Sequence, residues 1–233
     1  MDQVFQIKIC GVKDLATAQA CCAAGADAIG LNFYSKSKRF VAESDAAHIA
    51  KEMRGQVTRV GLFVNETPDF IANKLRTVEL DVVQLHGDEN VSFAIELAKA
   101  GLNLPILKAI RISPDTSAAA IQEIEAWSSS SLVDRVGGIL LDANVKGSFG
   151  GTGERIDWQW LSQVELPTRL PVLLAGGLNP ENVSDAVRIV RPFGVDVAGG
   201  VEAENGVKDD RLIQQFVSQA RQSLDSNGSI DRD

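Results

Sequence analysis

Two periodicities alternate along the chain. Short apolar runs of strand length, rich in Val, Ile, Leu or Phe, occupy Val4–Ile9, Ala28–Phe33, Arg59–Val64, Val82–Leu85, Ile106–Ile110, Gly138–Leu141, Val172–Ala175 and Val195–Ala198. Between them lie amphipathic stretches at Leu15–Ala24, Ser44–Met53, Pro68–Thr77, Val91–Ala100, Ser117–Ser128, Asp157–Val164, Pro180–Val190 and Asp209–Ser223. Helix-start signals support several of these. Ser44, Thr67 and Asn90 stand where an N-cap oxygen is wanted. Asn179-Pro180-Glu181 offers a cap, a proline at the first helical position and an acid in the first turn.

Strands buried on both faces read as continuous apolar runs, which is the habit of a parallel sheet. Strict βα alternation then requires crossover helices. Eight such units in 233 residues predict an α/β protein built as a single (β/α)8 (TIM) barrel. A doubly wound open sheet would carry a Gly-x-Gly-x-x-Gly turn after its first strand, and only Cys10-Gly11 stands there. No linker or composition break divides the chain. The expected barrel domain covers residues 1–222, and a polar tail covers 223–233.

Charge and composition narrow the partners. The net charge of −8 argues against nucleic acid and against anionic membranes, since both need a basic face. No apolar run approaches the roughly 20 residues that span a bilayer, and "MDQVFQIKIC" lacks the pattern of a secretory signal. The three cysteines, Cys10, Cys21 and Cys22, make a poor disulfide framework. A reducing compartment is the simplest reading, and a cytoplasmic protein is expected. Cys21 and Cys22 lie in an alanine-rich helical stretch and read as packed thiols.

In a barrel the chemistry sits at the C-terminal ends of the strands. Almost every unexpected polar or glycine-rich segment of this chain falls there. Gly176-Gly177 follow the seventh run and Gly199-Gly200 the eighth. Either pair alone reads as a tight turn; both together, in the two loops that often hold phosphate in such barrels, point to a phosphate site. Gly150-Gly151-Thr152-Gly153 does not match a P-loop, since no Gly-Lys-Ser/Thr follows. It reads as a lid, a substrate-edge loop or a plain connection.

Lys8 and Cys10 are two apart on a strand and share one face. A cation beside a thiol favours the thiolate, a base suited to proton abstraction; core packing is the other reading of Cys10. Asp142 ends an apolar strand and could be a cap, an ion-pair partner or a proton donor. Arg39 could hold a carboxylate in a two-pronged bond or do nothing so specific. His86 has Asp88 and Glu89 near it, but two distant histidines make no metal-ligand set.

Together these stretches resemble the phosphoribosylanthranilate isomerases of tryptophan biosynthesis. The segments that carry the resemblance are "KICGVKD", "FYSKSKRFV", "VGLFVNE", "VQLHGDE", "LLDA…GGTGERIDW", "LAGGLNPENV" and "VDVAGGVE…GVKD", in order from residue 8 to residue 209. The resemblance implies a single barrel that rearranges N-(5-phosphoribosyl)anthranilate to 1-(2-carboxyphenylamino)-1-deoxyribulose 5-phosphate. It implies Cys10 as general base, Asp142 as general acid and Arg39 for the anthranilate carboxylate. Backbone at Gly176, Gly177, Gly199 and Gly200 would take the phosphate, with Lys8 and His86 as supporting residues. The substrate's own nitrogen is the electron sink, so no cofactor and no metal are expected. The chemistry asks for a thiol tuned below its usual pKa of about 8.5 and a carboxyl tuned above about 3.9. The expected partner is one small phosphorylated molecule, acted on by a monomer or homodimer.

Two departures stand out. Many relatives carry Ser-Ser-Gly where this chain has Ala198-Gly199-Gly200, which removes a hydroxyl donor and implies weaker phosphate binding at most. "AENGVKD" also lacks a proline often found before its glycine. A histidine-pathway aminoaldose isomerase on the same barrel would use aspartates at the ends of strands 1 and 5. Here those ends carry Cys10 and Lys108/Arg111. A non-catalytic phosphate-binding barrel would have no need of the acid and base that this chain keeps.

Overall fold

A computed structural model of the chain describes residues 5–143, 156–204 and 206–228. Within them eight parallel strands close into a barrel: β1 (Ile7–Cys10), β2 (Ala28–Asn32), β3 (Thr58–Phe63), β4 (Val82–Leu85), β5 (Ile106–Ile112), β6 (Val136–Ala143), β7 (Val172–Leu174) and β8 (Gly194–Val197). β8 pairs back onto β1 and sets Lys8 opposite Asp196. The helices are α1 (Leu15–Ala23), α2 (Glu43–Glu52), α3 (Pro68–Thr77), α4 (Val91–Lys99), α5 (Ser117–Ser128), α6 (Trp158–Leu161), α7 (Val183–Val190) and α8 (Asp210–Gly228).

The period of two along each strand sorts the side chains. Ile7 and Ile9 join the large outer core against the helices. Ala28, Val60, Val82, Leu107 and Leu140 fill the floor of the barrel. Above that floor the inward positions turn polar, with Lys8, Gln84 and Asp196 all buried. Cys10 comes next, packed with Leu62 and Val64. The sequence therefore builds an apolar plug and leaves its polar groups near the mouth.

Several elements end away from their expected positions. β6 gains Val136 and Gly137 at its start, and it runs past Leu141 through Asp142, at the strand end as expected and opposite Arg111, to Ala143. α6 keeps only four residues. α7 begins at Val183, because Asn179 caps a preceding turn instead: its side chain accepts the Glu181 N–H at 2.9 Å, and its own N–H goes to Asn182. Ser44 is not a cap either; Ala42 holds that position, without a side-chain bond. Thr67 and Asn90 do cap, accepting the N–H groups of Phe70 and Phe93. α8 runs to Gly228, past the expected domain edge at residue 222. Leu224 is buried there, and Asn227 Nδ2 donates to Val187 O at 3.0 Å. The expected strand start at Val4, the Gly150–Gly153 loop and residues 229–233 lie outside the described residues.

One element was not expected. After β8 a hairpin forms from β9 (Glu202–Glu204) and β10 (Val207–Lys208). Gly206 turns it at φ +82°, and a Cβ there would lie 2.8 Å from Lys38 O. The hairpin thus presses on the loop after β2. Among the described residues no helix is long and apolar enough to cross a membrane.

Candidate active site

β1 delivers Lys8 and Cys10 to the barrel interior, as their spacing predicts. Lys8 is wholly buried, and its Nζ lies 2.7 Å from Asp196 Oδ1. Burial alone would pull the Lys8 ammonium down, but the charges of Asp196 and Cys10 outweigh it and its pKa is raised. For Cys10 the outcome reverses the expectation. Burial pushes the thiol up; Lys8 and Lys208 pull it back, Asp196 adds to the rise, and the balance is upward. The neighbouring cation is real, but its pairing with Asp196 offsets the help it gives the thiolate. Cys21 is buried on α1 and pushed up to about 12 by burial, which suits a packed thiol.

Arg39 comes from the loop after β2 and lies across Gly11. A Cβ at Gly11 would sit 2.6 Å from Arg39 Cδ, and its φ of +80° favours glycine independently. The guanidinium grips Glu202 with two bonds, Nε–Oε1 at 2.6 Å and Nη2–Oε2 at 2.9 Å. Glu202 also accepts the Gly206 N–H at 2.9 Å and meets Lys208 Nζ at 3.1 Å. Burial works against the Glu202 charge, but the Arg39 bonds, the Gly206 N–H and Lys208 prevail and hold its carboxyl down at about 2. Burial is the larger influence on Lys208, whose pKa is lowered despite Glu202.

Across the barrel, β6 presents Asp142. Its Oδ1 accepts the N–H of Ala143 at 2.9 Å, and its Oδ2 is 3.2 Å from His86 Nε2. His86 Nδ1 in turn lies 2.7 Å from Gln84 Nε2. Gly176, at φ +81°, passes close by, so that a Cβ there would stand 3.2 Å from Asp142 Oδ1. Gly200 is pressed against the neighbouring loop even harder: its Cβ would fall 1.8 Å from Leu178 O. Gly200 thus lets the loops after β7 and β8 meet main chain to main chain.

These groups share one cavity of about 610 Å³ at the C-terminal mouth of the barrel. Cys10, Arg39, His86, Asp142, Gly176, Gly177, Gly199 and Gly200 all line it. Lys8 does not reach it and sits beneath, against Asp196. Lys108 turns the other way, toward the helices, donating to Gly87 O at 2.7 Å with Glu123 of α5 at 3.4 Å. Arg111, opposite Asp142 in register, pairs with Asp88. Among the described residues no group of three or more His, Cys, Asp or Glu side chains is arranged to hold a metal.

Sequence reasoning missed Asp196, Glu202, Lys208 and Gln84. Asp196 and Gln84 could have been found, since each is a polar residue on the inward phase of a strand. Glu202 and Lys208 lie in the segments "VDVAGGVE" and "GVKD", but their pairing with Arg39 arises only through the unexpected hairpin.

Residues 7–219 match the family model described as N-(5'phosphoribosyl)anthranilate (PRA) isomerase. An N-(5'-phosphoribosyl)anthranilate isomerase of Thiobacillus denitrificans is 44% identical over 220 residues, covering 94% of this chain and 98% of the relative. The crystal structure of phosphoribosyl anthranilate isomerase from Thermotoga maritima superposes with a TM-score of 0.80 at 36% identity, covering 94% of this chain and all of that one. A phosphoribosyl anthranilate isomerase solved in complex with reduced 1-(o-carboxyphenylamino)-1-deoxyribulose 5-phosphate has a TM-score of 0.77 at 35% identity, over 94% of this chain and 100% of that one.

Proposed function

The chain belongs to the N-(5'-phosphoribosyl)anthranilate isomerase family, and from that membership we propose how its own residues divide the work of the isomerisation. The reaction turns an aminoaldose in its furanose form into an aminoketose by general acid–base catalysis. Asp142 gives a proton to the ring oxygen as the C1–O bond breaks, and the nitrogen lone pair forms the C1=N bond of an iminium ion. That cation acidifies the C2 proton, which the minor thiolate form of Cys10 removes; burial makes this base scarcer but stronger. The electron pair left at C2 forms the C1=C2 bond of an enolamine and neutralises the nitrogen. Proton transfer from the C2 hydroxyl to C1 then gives the ketone. The substrate's nitrogen accepts and returns the electrons, so the chemistry asks for no cofactor or metal.

Binding is divided among the loops. Main chain at Gly176, Gly177, Gly199 and Gly200 takes the phosphate, without a hydroxyl from Ala198. Arg39 takes the anthranilate carboxylate. Two of its five N–H donors are used on Glu202, which leaves three for a ligand. His86 holds the Asp142 carboxyl from behind, and Lys8 supports Cys10 from below. The partner is this one small phosphorylated molecule; a surface with net charge −8 suits neither nucleic acid nor anionic lipid. All the groups named belong to one chain, which fits a monomer or a homodimer of independent barrels. The free cysteines fit the cytoplasm.

The observation that carries this reading is that Cys10 and Asp142 line one cavity together with Arg39 and both glycine pairs. The test is to generate phosphoribosylanthranilate in place from anthranilate and phosphoribosyl pyrophosphate with the appropriate transferase. Loss of its anthranilate fluorescence on adding this protein, with EDTA present, is the expected result. Cys10→Ser and Asp142→Asn should abolish most of that loss. No turnover by folded wild-type protein would sink the reading.

A further inference from the structure

We propose that Glu202 is a positioning residue that aims Arg39 at the substrate's carboxylate, and that Lys208 keeps their cluster positively charged. The inference rests on the carboxylate role given to Arg39 above and assigns the device that makes the role possible.

A free arginine on a loop is a poor specificity element, because its long side chain must be ordered before it can form a two-pronged bond. Arg39 is already ordered. Its Nε/Nη2 edge is closed by Glu202, and its stem lies over Gly11. Nη2 also passes the α-carbon of Gly199, where a Cβ would be only 3.0 Å away. Among the described residues Nη1 has no hydrogen-bond partner, and the side chain lines the cavity. The unused N–H groups therefore belong to the end of the guanidinium that Glu202 does not cover.

Glu202 has holds of its own besides Arg39. The Gly206 N–H and Lys208 Nζ hold its two oxygens from the far side, and Lys208 is itself tied to Ala198 O at 2.9 Å. The hairpin β9/β10 is what brings these partners together. Charge follows the same logic. Arg39 and Glu202 alone would be a neutral pair with little pull on an anion. Lys208, behind the cavity wall, adds a second cation to the single carboxylate, so the three-residue cluster carries one net positive charge, although Asp196 and Glu204 also line the cavity. A ligand carboxylate at Arg39 would meet a preset donor edge whose charge Glu202, shared with Lys208, does not fully cancel.

The test compares two ligands on the same protein. One is reduced 1-(o-carboxyphenylamino)-1-deoxyribulose 5-phosphate; the other is the same compound without its ring carboxylate. The ratio of their Kd values, from titration calorimetry, reads carboxylate recognition alone. The analogue lacking the carboxylate reports whether the rest of the site is intact. Arg39→Ala should cut the ratio about tenfold to a hundredfold. Glu202→Gln and Lys208→Met should each cut it about tenfold, with binding of the analogue changed little. A merely structural role would weaken both ligands together and leave the ratio alone.

If Arg39→Ala collapses the ratio and Glu202→Gln leaves it within twofold, the positioning inference fails and the carboxylate reading stands. A rise in the ratio for Glu202→Gln would mean that Glu202 competes with the ligand for Arg39, which also overturns it. An unchanged ratio in Arg39→Ala removes the carboxylate reading and this inference with it. Should Glu202→Gln not fold, Lys208→Met and the shortened acid in Glu202→Asp carry the same comparison, and an unchanged ratio in both overturns the proposal.

Discussion

His86 Nε2 stands 3.2 Å from Asp142 Oδ2, so the candidate acid of strand β6 is held by a ring carried on the end of β4. The carboxyl is fixed on its other side by the Ala143 N–H and crowded by Gly176. The contact with His86 survives whichever partner carries the proton. Nε2–H can donate to a carboxylate, or a carboxyl O–H can donate to Nε2 with the Gln84 amide turned over. Asp142→Asn should therefore lose roughly 10²- to 10⁴-fold in kcat. His86→Leu should lose about tenfold to a hundredfold in kcat with KM little changed, since it leaves the acid in place with only the Ala143 N–H to orient it. Steady-state kinetics on both variants check this, and an His86→Leu enzyme within twofold of wild type would free Asp142 from its supposed anchor.

Cys10 should behave in the free protein as a thiol with a raised pKa. Burial and Asp196 push it up, and the two nearby lysines fail to bring it back. Alkylation by iodoacetamide needs the thiolate. Its rate at Cys10, followed by peptide mapping to separate Cys22, should still be climbing above about pH 8.5, the ordinary thiol value. Lys8→Met should move that climb to still higher pH. It should also destabilise the fold by about 3–5 kcal/mol, because Asp196 is left as a buried charge without its partner. A plateau reached below pH 8 would show that the lysines win after all.

Gly200 cannot carry a side chain while the loops after β7 and β8 remain in place. A Cβ there would overlap Leu178 O at 1.8 Å, too close for any rotamer to relieve. Gly200→Ala should therefore destabilise the protein by about 1–3 kcal/mol, as overpacking does. KM should rise as well, since the loops that part are those assigned to the phosphate. Chemical denaturation together with inhibition by inorganic phosphate measures the two effects. A variant with unchanged stability and unchanged phosphate inhibition would mean that the close approach has no role in either.

How much of this could be read from the sequence depended on which interactions fixed each feature. The strands were legible because burial on both faces writes an unbroken apolar run; β4 runs over Val82–Leu85 as expected. Thr67 and Asn90 were legible as caps because a cap is a local hydrogen bond. α8 was misjudged at its end, because Leu224 and Asn227 are held by tertiary contacts that polar composition does not reveal. The residues expected at the site do line one cavity, since strand ends of a barrel converge whatever the loops do; Lys8 is the exception, one layer below. What the sequence hid was the pairing among them. Lys8 reads as a helper of Cys10 until Asp196 is seen 188 positions away at 2.7 Å. Arg39 reads as a free cation until Glu202 is seen, 163 positions away. Charges that meet only through the closed fold leave no local trace.

The Arg39–Glu202–Lys208 cluster also predicts an acid sensitivity. Glu202 is held at about 2, against an ordinary value of 4.5. A carboxyl whose folded pKa is depressed contributes stability that is present above the unfolded value and lost as pH falls toward the folded one. The window here runs from about pH 4.5 down to about pH 2. Across all of it a fall of 2.5 in pKa corresponds to about 3 kcal/mol, and about 2 kcal/mol of that should be gone by pH 3. Glu202→Gln binds no proton in this range, so its stability lacks this particular slope. The stability gap between wild type and Glu202→Gln, from urea unfolding, should therefore narrow by about 2 kcal/mol between pH 6 and pH 3. A gap that holds constant over that range would mean that Glu202 titrates alike in the folded and unfolded chains. The two-pronged bond to Arg39 would then add nothing to the ionised form.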